Sequence, residues 1–469
     1  MFGTTGLGEI VSGAETGFVS DNREWARRVF GAVHVPDARL RRRIVRVAAH
    51  MASVPGATLP QQMGGHAALT AVYRLLNNAR VSREALSAPH WQETRLLAGA
   101  ESVVLMVQDI TTLDYTRYAG TMQGLGPIGD GRGRGLLLHS TLAVIPKERR
   151  VLGLAHQQAF HRVALREGEA RRSRPKAQRE SRVWGEAVQA IGRPPAGTRW
   201  VVVADRQTDD TAFLLTCRSQ GYDFTIRLGY GSRVIVQGHG PHQNLRDTAQ
   251  TWAPVAQIAV AVRGKGGRPG RTAQVLVSCG QVRLLTPRRE APLDVWVIRA
   301  WEIDVPEGAQ RLEWLLASSV SVNTPQEAVE RVEWYRARWI VEDYHQCLKS
   351  GCEVERRDLG NTDKIERLIG LVAPIAVRLL QLRDRVRGDP QMPASEIVDE
   401  MMVRILAVKL QVSAKGMTAR EFWRGVARLG GFLGRKSDGE PGWKTLWRGW
   451  IPLQNMLEGA RIAAQLVHT

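Results

Sequence analysis

Val103-Val-Leu-Met-Val-Gln-Asp109 is the stretch where the chain changes its period. Before it, apolar side chains recur at helical spacing. Here five apolar residues follow one another and the run closes on an acid. A short unbroken apolar run is the pattern of a strand buried on both faces. We read a strand over Val103–Gln108 that ends at Asp109. Trp200-Val-Val-Val-Ala204 repeats the pattern and ends at Asp205.

Working outward, Leu136–Ile145 and Val151–His161 read as two more strands, a meander with Lys147–Arg149 in its turn. Arg162–Arg182 is a highly charged link into a helix around Val183–Ala190. A helix over Asp209–Arg218 and a strand over Tyr222–Arg227 follow. The segment 229–306 is rich in Val, Thr and Gly and reads as a β insertion, with Gly264–Gly270 as an exposed turn. Leu312–Ser318 is one more apolar strand. Pro325–Ser350 reads as one long helix and Asp363–Arg387 as another. Ser395–Leu466 is helical, with a Gly-rich break at Gly430–Gly442.

Upstream, Asp37 is a plausible N-cap for a helix to Ala52. Its apolar residues Leu40, Ile44, Val47 and Met51 share one face, and it carries Arg39, Arg41, Arg42, Arg43 and Arg46. A second helix covers His66–Asn77, with Tyr73 and Arg74, and a third starts near Ser82. The expected organisation is a tail over 1–21, a helical domain over 22–100, an α/β domain over 101–388 with its insertion at about 229–306, and a helical domain over 389–469.

The chain has 469 residues, enough for about two to four domains at roughly 150 residues each. No apolar run approaches the ~18 residues that cross a bilayer, so we expect no membrane span. Met1–Asp21 has no basic region followed by an apolar stretch, so no secretion signal is read there. Four cysteines without disulfide spacing fit a reducing cytosol. Sixty-five Lys+Arg against 46 Asp+Glu give a net charge of +19, which suits a polyanionic partner, most often nucleic acid. No Gly-rich loop ends in Gly-Lys-Ser/Thr, so no ATP is inferred. His345, Cys347 and Cys352, like His156 and His161, lack zinc spacing and are read as structural.

Two acids at strand ends stand where an α/β sheet commonly places its ligands, although such an acid also serves as a turn former or helix cap. The third element is Tyr335-Arg-Ala-Arg338-Trp-Ile-Val-Glu342-Asp-Tyr-His-Gln-Cys-Leu-Lys349. On a regular helix, at about 100° per residue, Tyr335, Arg338, Glu342 and Lys349 fall on a stripe roughly 60° wide. A surface ion-pair ladder explains Arg338 and Glu342 but not the phenol and second cation beside them. Three carboxylates can hold two Mg²⁺ ions about 3.5–4 Å apart, an arrangement suited to phosphodiester chemistry. Arg338 and Lys349 would supply the cations that position the substrate.

Tyr335-x2-Arg338-x3-Glu342-x6-Lys349 resembles the Tyr-Arg-Glu-Lys signature of DDE transposases of the insertion-sequence-four group, near the transposon-five type. Asp109-x-Thr111-x-Leu113-x-Tyr115 resembles the first-aspartate motif and Asp205-Arg206-x-x-Asp209 the second. Glu342-Asp-Tyr-His345 followed by Lys349-Ser-Gly351 resembles the third, and Glu355-Arg356 continues it. Val426–Phe432 and Trp443–Trp450 resemble the C-terminal domain, and Tyr73-Arg74 with Val81-Ser82 the N-terminal one.

The resemblance implies a ribonuclease-H-like catalytic core with a β insertion, flanked by a helical N-terminal DNA-binding domain and a helical C-terminal dimerisation domain. It implies Asp109, Asp205 and Glu342 as catalytic residues and ligands of two Mg²⁺ ions, with Mn²⁺ able to substitute. Tyr335, Arg338 and Lys349 would grip phosphates, and Trp314 would stack on a base extruded during hairpin formation, its other reading being a core tryptophan. Arg39, Arg43 and Arg74 match positions that would hold transposon-end DNA, the bland alternative being a solvated basic face. Arg227, at a strand end, is a further DNA-contact candidate.

The implied activity is cut-and-paste transposition: binding inverted terminal repeats, pairing them in a homodimer, excision through a hairpin, and integration into target DNA. The implied setting is the bacterial cytoplasm, on the nucleoid when bound to DNA. Two alternatives are a catalytically silent, transposase-derived repressor and a stand-alone nuclease with the same core.

Overall fold

The computed structural model describes residues 22–162, 180–229, 233–238, 240–262, 270–285, 292–435 and 438–467. The 1–21 tail, residues 163–179 of the charged link and most of the Gly264–Gly270 turn lie outside these.

The N-terminal helices are α1 (Asn22–Phe30), α2 (Ala38–Ser53), α3 (Leu59–Met63), α4 (His66–Leu76) and α5 (Arg83–Gly99). Asp37 caps α2 by accepting from the Arg39 amide at 2.8 Å, and Ser82 caps α5 by accepting from the Ala85 amide at 3.1 Å. Leu40, Ile44, Val47 and Met51 are buried along one face of α2, as the spacing requires.

The core strands are β1 (Val103–Asp114), β2 (Gly126–Ile128), β3 (Gly133–Ile145), β4 (Arg150–Phe160), β5 (Arg199–Ala204) and β6 (Asp223–Arg227). Helices α6 (Arg182–Ile191) and α7 (Thr211–Ser219) punctuate them. The β5 and β6 strands run parallel to β1, while β3 and β4 form an antiparallel meander, giving the order β4-β3-β1-β5-β6. Beyond β6 the same sheet continues through β12 (Glu313–Ser318), β11 (Leu293–Ile303) and β10 (Arg271–Leu284). It is completed by β9 (Ala256–Val262), β7 (Val234–Val236) and β8 (His242–Asn244), twelve strands in all among the described residues. The insertion is thus an extension of the core sheet. It also contains a helix, α8 (Leu245–Thr251), capped by the Asn244 side chain, within a stretch read as strands.

The inner half of the sheet is covered on both sides. Leu105, Val107, Leu138 and Leu142 pack on one face, and Val104, Met106, Val202 and Ala204 with Trp184 and Phe213 pack on the other.

Three expectations are corrected. First, β1 does not stop at Asp109. Ile110, Thr111, Thr112 and Leu113 suit a strand and stay in register with β3, so Asp109 lies in mid-strand opposite Ser140. Second, Pro325–Ser350 is not one helix. It divides into α9 (Pro325–Arg336), α10 (Trp339–Gln346) and a π turn over Cys347–Gly351. At the first break the backbone tightens: the Arg338, Ile340 and Val341 amides bond three residues back, to Tyr335, Ala337 and Arg338. At the second it widens, with the Cys352 amide on the Cys347 carbonyl at 3.0 Å. Third, α8 interrupts the β insertion, as above.

The C-terminal helices are α11 (Thr362–Gly388), α12 (Glu400–Leu410), α13 (Ala419–Leu429) and α14 (Trp443–Val467). Gly430 and Gly449 let the last two approach closely, since a Cβ on Gly449 would fall 1.7 Å from the Val426 carbonyl oxygen. Among the described residues, no helix is long and apolar enough to cross a membrane.

Candidate active site

Asp109 and Asp205 come from neighbouring parallel strands. The register pairs Val107 with Val203, and Asp109 and Asp205 each follow two residues further on. The Asp109 carboxylate accepts from the Ile110 amide at 2.8 Å. Asp205 follows the last residue of β5 and accepts from the Gln207 amide at 2.8 Å, capping the Arg206–Thr208 turn. It therefore occupies the strand end and also acts as a cap.

Glu342 arrives on the first turn of α10. Arg338, in the tightened turn before it, joins two of the acids: Nη1 lies 3.3 Å from Asp109 and Nη2 2.6 Å from Glu342. Burial pushes the Asp109 carboxyl up to about 6. Arg338 and the Ile110 amide pull it down, and the charges of Asp205 and Glu342 add to the rise. Burial opposes the charge on Arg338, but Tyr335, Glu342 and Asp109 outweigh it and hold the guanidinium above its usual value. Among the described residues its buried Nε donor has no partner.

Tyr335 is 3% exposed, and burial pushes its hydroxyl up while the nearby charges of Arg338 and Arg227 pull it down. Trp314, on β12, is 7% exposed and meets Tyr335 edge-on at 5.4 Å between ring centres. Arg227, at the end of β6, donates to the Glu313 carbonyl at 3.3 Å. Lys349 parts from this group. It sits in the π turn, 3.5 Å from Glu355, and lines a cleft of ≈ 450 Å³ with Thr112, Asp114 and Asp130. The even stripe is thus split, because the tight turn and the π turn both break the spacing of a regular helix.

Arg39 and Arg74 are exposed and Arg43 is half-buried, on helices α2 and α4, which pack together.

Two residues that the sequence reading names only within motifs take part here. Glu355 accepts from the Asp114 amide at 2.8 Å as well as meeting Lys349. Asp209, named only as part of a motif, has a buried side chain that pairs with Arg233 and accepts from the Gly229 amide at 2.9 Å. Its burial fixes the start of the insertion beside the second-acid turn. The signal for Asp209 is its place in Asp205-Arg206-x-x-Asp209 and that for Glu355 its place in Glu355-Arg356; neither motif reveals the partner.

Among the described residues, no three His, Cys, Asp or Glu side chains already stand as a metal-holding group. The guanidinium of Arg338 lies against the carboxylates of Asp109 and Glu342.

Comparison with known families addresses both ends of the chain. Residues 22–81 match the family model for transposase DNA-binding, and residues 374–469 match the transposase Tn5 dimerisation domain. Both ends of the chain are thus similar to transposase domains. The first match spans α1 to α4 with Arg39, Arg43 and Arg74, and the second begins within α11 and runs through α14. Together they support a Tn5-like transposase that binds DNA and forms a homodimer.

Proposed function

We propose that the protein is a cut-and-paste DNA transposase of the insertion-sequence-four type, with Asp109, Asp205 and Glu342 as its cleavage site. The observation that carries this reading is the single guanidinium of Arg338 touching Asp109 and Glu342, while the charge of Asp205 acts on the same Asp109. The strand order β4-β3-β1-β5-β6, with acids on adjacent parallel strands and a third on a helix packed against β1, supports a ribonuclease-H-like core.

Three carboxylates are hard oxygen donors, which fits Mg²⁺, with Mn²⁺ as a substitute. When bound at Asp109, Asp205 and Glu342, such ions would activate a water or 3′-hydroxyl and stabilise the leaving oxygen of a phosphodiester. The chain's own residues do the rest. Arg338 compensates the acids and keeps one donor spare for a phosphate oxygen. Arg227 holds the Tyr335 hydroxyl from the other side, and both face the same phosphate. Lys349, in its cleft, contacts the strand further from the cut. Trp314 receives the base extruded when the end closes into a hairpin. The N-terminal arginines hold the terminal repeats, the C-terminal helices pair two protomers, and the reaction runs in the cytoplasm without ATP.

The test is nicking of a supercoiled plasmid carrying the DNA that flanks the gene, with Mg²⁺ or Mn²⁺. Asp109→Ala, Asp205→Ala and Glu342→Ala should each reduce nicking to background while gel-shift binding of the flanking DNA persists. Cleavage at the wild-type rate by any of the three rejects the assignment. Trp314→Ala should slow hairpin formation more than the first nick; equal slowing assigns it to packing.

A further inference from the structure

Beneath the cleavage site runs a buried polar chain that the reaction as described does not use. Ser140 is the direct cross-strand partner of Asp109, so both side chains leave the same face of the sheet. His345 follows Glu342 by one helical turn on α10 and faces the same way. His345 Nε2 and Ser140 Oγ are 3.1 Å apart.

We propose that His345 is a positioning residue for DNA cleavage: through Ser140 it fixes the helix bearing Glu342 against the strand bearing Asp109. The inference rests on the reading of Asp109, Asp205 and Glu342 as the cleavage site.

The hydrogen-bond inventory gives the chain a direction. Gln157 Nε2 donates to Ser140 Oγ at 3.1 Å and to the Tyr344 hydroxyl at 2.9 Å. The Ser140 hydroxyl proton is then free to be donated to His345 Nε2 when the imidazole carries its proton on Nδ1. Burial, aided by the charges of Lys349 and Arg338, pushes His345 down to about 3, so at neutral pH it is uncharged and able to accept. Both residues are buried, and a buried acceptor stripped of its partner bears its full desolvation cost.

The helix needs such ties. It has only eight residues, with a tightened turn before it and a π turn after it, so its own ladder does not fix its rotation. Three successive side chains anchor it. Asp343 meets Arg383 on α11 at 2.6 Å, Tyr344 meets Gln157 on β4, and His345 meets Ser140 on β3. Of these three contacts, only that of His345 reaches the residue opposite Asp109.

The test measures first-strand nicking of the flanking-DNA plasmid at saturating protein across a Mg²⁺ titration. Melting temperature and gel-shift binding are recorded for each variant. His345→Leu and Ser140→Ala should each lower the maximal rate about tenfold or more, since small misplacements of reacting groups are costly in rate. Both should raise the half-maximal Mg²⁺ concentration while binding of flanking DNA holds. His345→Gln, whose amide oxygen can accept from Ser140, should recover most of the rate. The double variant Ser140→Ala/His345→Leu should be no slower than the slower single variant. Wild-type nicking by Ser140→Ala, or a His345→Gln as slow as His345→Leu, overturns the proposal. Should His345→Leu fail to fold, Ser140→Ala and His345→Gln decide alone. Asp109→Ala run alongside separates the two failures. If it nicks normally, the cleavage site is misassigned; if it is dead while Ser140→Ala is unimpaired, only the positioning role falls.

Discussion

The two halves of the twelve-stranded sheet are built on opposite plans. In the inner half, β3 is buried along nearly its whole length and β5 at every residue after the first. Its polar side chains are buried with the apolar ones: Gln108, His139, Ser140, Thr141 and Gln157 have no exposed surface. In the outer half, β9 and the start of β10 alternate between covered and exposed residues, as antiparallel strands with one wet face do. One charged pair there, Arg283 and Asp294 at 2.8 Å, sits at the surface, while Glu302 is buried against Arg271. A side chain that must be held in one place is better held where both faces are packed. The inner half carries Asp109 and Asp205 and receives Glu342 from α10, and the outer half joins it at β12, the strand that carries Trp314.

The contrast can be broken at graded points. Leu105→Ala, in the doubly covered half, should cost about 2–5 kcal/mol by urea denaturation, because a fully buried leucine leaves a cavity. A loss comparable to that of a surface change would mean that the inner half is not tightly packed. Arg338→Met leaves Asp109 and Glu342 facing one another without a cation. It should cost about 2–3 kcal/mol without divalent ions, below the range for a fully buried pair because Glu342 is partly exposed. Part of that loss should return with Mg²⁺, read as a rise in melting temperature larger than that of the wild type. Equal rises would argue that the acids do not share an ion.

Acid should also act on the inner half. Burial holds His139 well below its ordinary value, with the charges of His156 and His345 in the same direction. A histidine depressed in the folded state stabilises it above the unfolded pKa of about 6.5, and that stability is lost as pH falls toward the folded value. Raised carboxyls such as Asp109 act in the opposite sense, so the informative quantity is the difference between wild type and His139→Leu. That difference should change by up to about 1.4 kcal/mol per pH unit below pH 6.5. A difference that is flat from pH 7 to 4.5 would contradict the buried neutral ring. Smallest of all, Arg283→Ala in the outer half should leave the urea midpoint where the wild type has it, because both partners are exposed.

The same contrast explains what could be read from the residues alone. Val103–Val107 and Trp200–Ala204 betray themselves because a strand covered on both sides needs no polar alternation. The caps Asp37 and Ser82 are legible because capping is local. Asp109 is legible as an acid after an apolar run. Its mid-strand position is not, since β1 is prolonged by pairing with β3. The division of Pro325–Ser350 escapes notice because nothing in its composition breaks a helix; Arg338 is drawn into contacts with Asp109, 229 residues away in sequence. Ser140 and the contacts of Glu355 escape for the same reason: their partners are supplied by the fold. Helix α8 was hidden in a Val- and Thr-rich setting that favours strands.

The central claim is that Asp109, Asp205 and Glu342 form one divalent-ion site within reach of Arg338. Anomalous diffraction from crystals of the full chain grown with Mn²⁺ and the gene-flanking DNA tests it most directly. The account predicts manganese peaks contacted by all three carboxylates, with Arg338 turned from them toward a phosphate. Manganese bound elsewhere, with Arg338 still bridging Asp109 and Glu342, would contradict it.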